Sequence, residues 1–175
     1  MPARTPLARI RPAVTAVRRG AATRARAAAT GRKMPLARPQ ARRCVLLADD
    51  DDELRELLAF VLRRSGLLVV EARDGAEVLA YVRRSLAADA PVPRPDVLIT
   101  DYGMPGWSGF DVLDALRKAG INIPVIVITA NGSDELQAEA ARLRVRAVMD
   151  KPIDPVHLCE TVAELVPGSA PACAG

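Results

Sequence analysis

Asp96-Val97-Leu98-Ile99-Thr100-Asp101 is an apolar run that ends on a carboxylate, and similar runs recur along the chain. They are Cys44 to Ala48, ending on Asp49 and Asp50; Val125 to Ile128, ending on Thr129; and Val145 to Asp150, ending on Lys151. Short apolar runs of this kind predict the buried strands of a parallel sheet. Because the carboxyl ends of parallel strands meet at one edge, where open α/β sheets bind ligands, we expect these polar groups to converge there.

Helical signals separate the strand signals. After the first strand, Leu54, Leu58 and Leu62 share one helical face, and a second strand is predicted over 67–72. Further helices are expected to begin at the capping signals Asp74, Ser108, Ser133 and Asp154. This alternation over 44–166 predicts an α/β domain of the (βα)5 type, a doubly wound five-stranded parallel sheet with right-handed crossovers.

The polar groups expected at the sheet edge are three carboxylates, a hydroxyl and an ammonium. Crowded carboxylates repel one another unless a hard divalent cation lies between them. A lysine and a hydroxyl suit the oxygens of a phosphoryl group. The sequence therefore predicts a site for a hard divalent cation and a phosphoryl group.

The two parts of the chain differ strongly in charge. Residues 1–43 contain 12 of the 25 Lys and Arg and no acid, which leaves 13 basic against 21 acidic residues, a formal charge of about −8, in 44–175. We predict a largely disordered basic arm over 1–43, interpreted as a solvated tail or as residues before a true initiator at Met34. An Arg-rich arm also resembles a transit peptide or a nucleic-acid contact, but we expect nucleic-acid binding to be unlikely for the folded domain.

The remaining compositional features favour a reducing compartment. Cys44, Cys159 and Cys173 are odd in number and form no C-x-x-C pair, so a disulfide framework is not expected. No apolar stretch approaches the roughly 18 residues needed to span a bilayer. We therefore expect a cytoplasmic protein, with 167–175 as a flexible C-terminal tail and no attached output domain.

Several short motifs occur in a fixed order. They are Leu47-Ala48-Asp49-Asp50 with Arg55 after it, Pro95-Asp96 to Asp101, Met104-Pro105-Gly106 with Gly109-Phe110, Ile128-Thr129-Ala130, and Lys151-Pro152. Asp50 and Asp101 are 51 residues apart, with 28 more to Thr129 and 22 more to Lys151. In order and spacing the segment 44–166 resembles the receiver domain of two-component response regulators. The resemblance implies a flavodoxin-like sheet with strand order 2-1-3-4-5, like that of stand-alone chemotaxis regulators.

The resemblance also implies a phosphorylation site. Asp101 would be the phosphoacceptor, a carboxylate nucleophile that takes a phosphoryl group from a sensor histidine kinase or a histidine phosphotransfer protein. Asp50 would bind Mg²⁺ directly, Asp49 through water, and Gly103 through its backbone carbonyl. Positioning and charge neutralisation are the main needs of phosphoryl transfer.

Two further residues would bind the phosphoryl oxygens, the Thr129 hydroxyl as a donor and the Lys151 ammonium as a point charge. Alone, each would be an ordinary strand-end or surface residue; their expected position opposite three carboxylates favours the functional interpretation. Such a receiver catalyses its own phosphorylation and dephosphorylation but is not expected to turn over an external substrate.

Other polar residues near these motifs have simpler interpretations. Asp51 and Asp52 are expected to cap the first helix and to interact with its dipole. His157, the only histidine, is expected on the surface of the last helix.

One position departs from the family pattern. Receiver domains commonly carry Tyr or Phe three residues before the lysine, and here that residue is Val148. A valine cannot make the ring movement that accompanies phosphorylation. The expected partner face, formed by the fourth helix, fifth strand and fifth helix, would carry Arg142, Arg144 and Arg146.

Three other classes of protein fit the sequence less well than a receiver. A haloacid-dehalogenase-type phosphatase needs an acid two residues after its nucleophile, but Gly103 follows Asp101 at that spacing; Asp49 has Asp51 there, but no cap domain is visible. A DNA-associated regulator could use the basic arm, but no helix-turn-helix segment follows 166. A flavodoxin-like nucleotide binder lacks the Gly-rich first loop.

Overall fold

The computed structural model describes residues 42–166; the arm predicted over 1–43 and the tail predicted over 167–175 lie almost entirely outside the described residues. The elements are β1 (Cys44–Ala48), α1 (Asp52–Arg64), β2 (Leu68–Ala72), α2 (Gly75–Ser85), β3 (Val97–Asp101), α3 (Gly109–Lys118), β4 (Val125–Thr129), α4 (Asp134–Arg142), β5 (Ala147–Asp150) and α5 (Pro155–Leu165). All strand pairs are parallel and the sheet order is β2-β1-β3-β4-β5. The predicted (βα)5 sheet and its order are confirmed.

The strand ends differ slightly from the prediction. Asp101 and Thr129 are the last residues of their strands rather than the residues after them, and Asp101 pairs with Ile128 while Thr129 pairs with Asp150. The last strand begins at Ala147 because the preceding turn is still bound to α4, where the Val145 N–H donates to the Ala140 carbonyl (2.9 Å). The functional groups are thus held by ladder hydrogen bonds up to the sheet edge.

Side-chain caps fix the start of every helix. The N-cap residues accept hydrogen bonds from the first helical turn; they are Asp51, Asp74, Ser108, Ser133 and Asp154. The capping box predicted at Asp74 forms only in part: Asp74 accepts from the Glu77 N–H (2.8 Å), but the Glu77 carboxylate accepts from the N–H of Arg73 (2.8 Å). Each such cap contributes roughly 1 kcal/mol and fixes where the chain leaves the sheet edge.

Alternating strand residues form two buried layers. Leu47, Ile99 and Ile128 pack with α1 and α5 on one face, and Leu46, Leu98 and Val127 pack with α2, α3 and α4 on the other. Each fully buried side chain of this kind contributes about 1.5–3 kcal/mol. Packing on both faces makes the sheet a rigid support for the groups at its carboxyl edge. Among residues 42–166 no helix has the length and apolar character to cross a membrane.

Candidate functional site at the carboxyl edge of the sheet

Lys151 links the two buried carboxylates of the sheet edge. Its Nζ lies 2.9 Å from Oδ1 of Asp101 and 3.2 Å from Oδ2 of Asp49. Burial acts to lower the pKa of this ammonium, but its close contacts with the carboxylates of Asp101 and Asp49 and their negative charges outweigh burial, so its pKa is raised. Lys151 is therefore fully charged at neutral pH. The structure thus brings together three of the predicted site residues.

Asp49 is the most enclosed of these groups, with no solvent exposure. Its Oδ1 accepts a hydrogen bond from the Asp51 N–H (3.0 Å), whereas Oδ2 lies near Lys151 without a hydrogen bond of good geometry. Burial raises the pKa of the Asp49 carboxyl, and the Asp51 N–H and Lys151 oppose that rise only in part. A buried carboxylate oxygen without a well-formed hydrogen bond needs a further cation or donor.

Asp101 is held by its own loop. Its Oδ2 accepts from the Gly103 N–H (2.6 Å), and its side chain is almost fully buried. A Cβ on Gly109 would lie 2.5 Å from the Asp101 carbonyl oxygen, so only glycine allows α3 to begin this close to the strand. The nucleophile candidate is therefore fixed from both its side chain and its backbone.

Thr129 is buried on the neighbouring strand. Its Oγ1 accepts from the Asn131 N–H and donates to the Asn131 carbonyl, both at 3.2 Å. The backbone also joins it to Lys151, whose N–H donates to the Thr129 carbonyl (2.7 Å), and the Lys151-Pro152 peptide bond is cis. The hydroxyl lies at the edge with the carboxylates, as predicted, but is engaged with its own loop.

An open cleft of about 440 Å³ extends from these groups towards α4. Asp101, Thr129 and Lys151 line it, together with Tyr102, whose ring packs edge-on against Phe110 at a centroid distance of 5.0 Å. The cleft is large enough for a phosphoryl group beside the Asp101 carboxylate.

The acidic edge has the chemistry of a magnesium site. Within residues 42–166 no three His, Cys, Asp or Glu side chains form a preassembled metal cluster. Mg²⁺ keeps several waters, however, so one or two carboxylates and a carbonyl suffice as protein ligands. Asp50, exposed directly after Asp49, and Asp101 supply hard oxygens, and Oδ2 of Asp49 needs a partner. These donors fit Mg²⁺.

Arg55 has a role that the sequence pattern did not specify. Its buried guanidinium donates to the Asp49 carbonyl (2.8 Å), forms a close ion pair with Asp52 and lies 3.4 Å from Glu71. The sequence showed only its spacing from Asp50. The available signal was an arginine one helical turn after the predicted cap, at the helical spacing of the apolar residues Leu58 and Leu62, where a buried side chain is expected.

The remaining predicted residues occupy simpler positions. Asp51 caps α1, with its side chain accepting from the N–H groups of Glu53 and Leu54, and Asp52 lies in the first turn. His157 is exposed on α5. Val148 is half-buried against the α2–α4 face of the sheet.

Comparison with known proteins agrees with this geometry. The model of the response regulator receiver domain matches residues 45–163. The transcriptional regulatory protein FixJ of Azorhizobium caulinodans is 37% identical over 119 residues, which cover 67% of this chain and 52% of FixJ. An uncharacterised 14.6 kDa protein of Leptolyngbya boryana is 31% identical over 69% of this chain and 87% of its own length. The chain thus spans about half the length of the FixJ relative.

Solved structures show the same fold. The chemotaxis protein CheY4 of Vibrio cholerae has a TM-score of 0.63 at 26% identity and covers 72% of this chain and 100% of its own. A response regulator receiver protein of Pseudomonas putida has a TM-score of 0.63 at 28% identity and covers 71% of this chain and 98% of its own. With the matched family model, these likenesses favour a receiver over a dehalogenase-type phosphatase. The chain belongs to the response regulator receiver domain family of two-component systems.

Proposed function

We propose that residues 44–166 are a phosphoreceiver in which Asp101 accepts a phosphoryl group from a phosphohistidine of a sensor histidine kinase or a histidine phosphotransfer protein. The observation that carries this proposal is the position of Lys151, 2.9 Å from Asp101 and 3.2 Å from Asp49. A buried nucleophile beside a fixed cation suits attack on an anionic phosphorus centre.

The chemistry follows from the groups present. An Asp101 carboxylate oxygen attacks phosphorus, the phosphorus–nitrogen bond of the phosphohistidine breaks, and the histidine nitrogen retains the bonding electrons and takes up a proton. Lys151 exchanges part of its contact with Asp101 for a phosphoryl oxygen. The Thr129 hydroxyl turns from the Asn131 carbonyl to donate to another oxygen.

A bound Mg²⁺ would supply further charge neutralisation, held by the carboxylates of Asp50 and Asp101 and the carbonyl of Gly103, with Asp49 acting through water. The chain's own groups position the nucleophile: the Gly103 N–H orients the Asp101 carboxylate, and Lys151 balances its charge. The domain would thus promote its own phosphorylation and dephosphorylation without turning over an external substrate.

The output would be binding of a downstream protein, or relay of the phosphoryl group, in the cytoplasm. We place the binding surface on α4, β5 and α5. Of the arginines predicted there, Arg142 already pairs with Glu139 (2.6 Å) and lies 3.9 Å from Asp114, so it adds less free charge than Arg144 and Arg146.

The test is incubation of the full chain with acetyl phosphate and Mg²⁺, followed by intact-mass spectrometry. We expect one added phosphoryl group in the parent and in Asp89→Asn, a control in an exposed loop between α2 and β3. We expect none in Asp101→Asn. An unchanged phosphoryl signal in Asp101→Asn would refute the assignment of the nucleophile.

A further inference from the structure

Three arginines surround a second pocket at the opposite, amino-terminal edge of the sheet. This pocket has a volume of about 330 Å³, and its lining includes Arg117, Arg144 and Arg146. It lies between the α3–β4 loop, the α4–β5 loop and the end of α5. Strands of four or five residues separate it from the phosphorylation site by about 15 Å. The proposed phosphoryl chemistry uses none of these arginines.

Arg117 forms the fixed floor of this arginine pocket. Its guanidinium donates to the carbonyls of Leu143 (3.2 Å), Ile121 (2.9 Å) and Ile123 (3.1 Å). A guanidinium has five N–H donors, so these three bonds leave two for a ligand. Burial, and then the nearby charge of Arg144, lower the pKa of Arg117.

Arg144 occupies a backbone position that normally favours glycine. It follows the C-cap of α4 with φ of 57°, in the left-handed region. The equivalent residues after α1 and α3 are Gly66 (φ 81°) and Gly120 (φ 76°). Arginine is less favourable than glycine in this backbone conformation, but at this position its side chain adds a cation to the pocket.

The charges of the pocket are only partly balanced by protein groups. Within the described part of the chain, the side chains of Arg144 and Arg146 have no ion pair, and Glu164 is the only carboxylate among the lining residues. Three guanidinium groups against one carboxylate favour an anion, and guanidinium matches phosphate oxygens in pairs. Ile123, Pro124 and Leu165 add apolar surface on the same pocket.

We propose that this pocket binds a small phosphorylated ligand, with Arg117 and Arg144 contacting a diphosphate group and Arg146 contributing charge. The volume is that of a small-molecule site. Since the pocket is lined by Arg144 and Arg146 of the α4–β5 loop, which also belong to the surface proposed for the downstream protein, the ligand would bind at the edge of that surface. A second input, independent of phosphorylation at Asp101, would then act on this face.

The test uses NMR amide shifts of the labelled full-length chain during titration with sodium diphosphate in metal-free, low-salt buffer. We expect saturable shifts centred on 117–124, 144–146 and 164, and weaker binding as salt is added. ADP in a parallel titration separates the two sources of the ligand. Tighter binding of ADP than of diphosphate indicates a nucleotide, and equal or weaker binding of ADP indicates recognition of the phosphates alone.

The matched variants are Arg144→Gly and Arg83→Gln. Arg144→Gly removes a cation and installs the residue that this backbone favours, so the fold should be kept while affinity falls about tenfold or more, the loss expected for one charge-assisted contact. Arg83→Gln removes an equal charge from the exposed face of α2 and should bind like the parent. Equal affinity of the two variants would overturn the proposal. Shifts confined to the Asp101 edge would also overturn it, and so would a titration that does not saturate below about 10 mM diphosphate.

Discussion

The guanidinium of Arg55 donates a 2.8 Å hydrogen bond to the backbone carbonyl of Asp49, and this bond fixes the loop between β1 and α1. The same loop carries Asp50. The arginine on the first helix therefore determines where the acidic residues lie, although it contributes no group to the phosphoryl chemistry.

Replacing Arg55 with Met should destabilise the domain by about 1–3 kcal/mol, because a buried carbonyl loses its donor. Chemical denaturation of the purified chain measures the loss. The matched control is Arg64→Met, also on α1, an exposed arginine that lies 5.9 Å over the Phe60 ring, and this change should cost no more than about 1 kcal/mol. Equal losses in the two variants would contradict a loop-fixing role for Arg55.

Neutralising Asp49 as Asn should raise the melting temperature in metal-free buffer at neutral pH. Burial raises the pKa of Asp49, so the folded state binds more protons than the unfolded state and loses stability as the pH rises through that pKa. A gain of 1 kcal/mol corresponds to roughly 4 °C for a domain of this size.

The pH dependence provides the check on this explanation. As the pH falls through the folded-state pKa of Asp49, the parent carboxyl becomes neutral and the advantage of the Asn variant should shrink. Melting curves measured across the acid range test this. An advantage that grows towards low pH, or a lower melting temperature for the variant at neutral pH, would show that the charged form of Asp49 is favourable.

Trp107 should report metal binding. It is the only tryptophan, lies half-buried in the β3–α3 loop and packs over Gly75, where an added Cβ would lie 2.6 Å from the Trp107 Cβ. Fluorescence titration with Mg²⁺ should give a saturable change that Asp50→Ala loses. Asp89→Ala, an exposed control at the other sheet edge, should titrate like the parent. If Asp50→Ala also titrates like the parent, Asp50 is not a metal ligand.

Val148 should limit how far phosphorylation changes the partner face. A ligand shifts a conformational equilibrium only by its differential affinity for two states, and valine offers no ring that distinguishes them. Beryllofluoride with Mg²⁺, a phosphoryl mimic, should therefore shift the amides of the Thr129 loop and α4 more than those of β5 and α5. In Val148→Tyr the β5 and α5 shifts should increase. Parent shifts there as large as those of the variant would argue against this limit.

The sheet was predictable because its strands are short, buried apolar runs between well-marked helix caps. The edge residues followed, since parallel strands bring Asp49, Asp101, Thr129 and Lys151 to one side whatever the details of packing. The contact of Lys151 with both carboxylates was not predictable from periodicity, because it depends on side-chain conformations at the ends of three strands. The arginine pocket was missed for a related reason: Arg117 lies in the last turn of α3 and Arg144 in the α4–β5 loop, and their proximity arises only from the tertiary fold.

Gly109 gives the domain a mechanical property. Because no side chain fits between the start of α3 and the Asp101 carbonyl, the helix and the strand end touch with almost no clearance. We therefore expect a displacement of the Asp101 backbone to displace the start of α3 as well, because the two segments are in direct contact. A change in the Asp101 loop on phosphorylation should therefore reach α3 through this backbone contact, without an intervening side chain that could adjust.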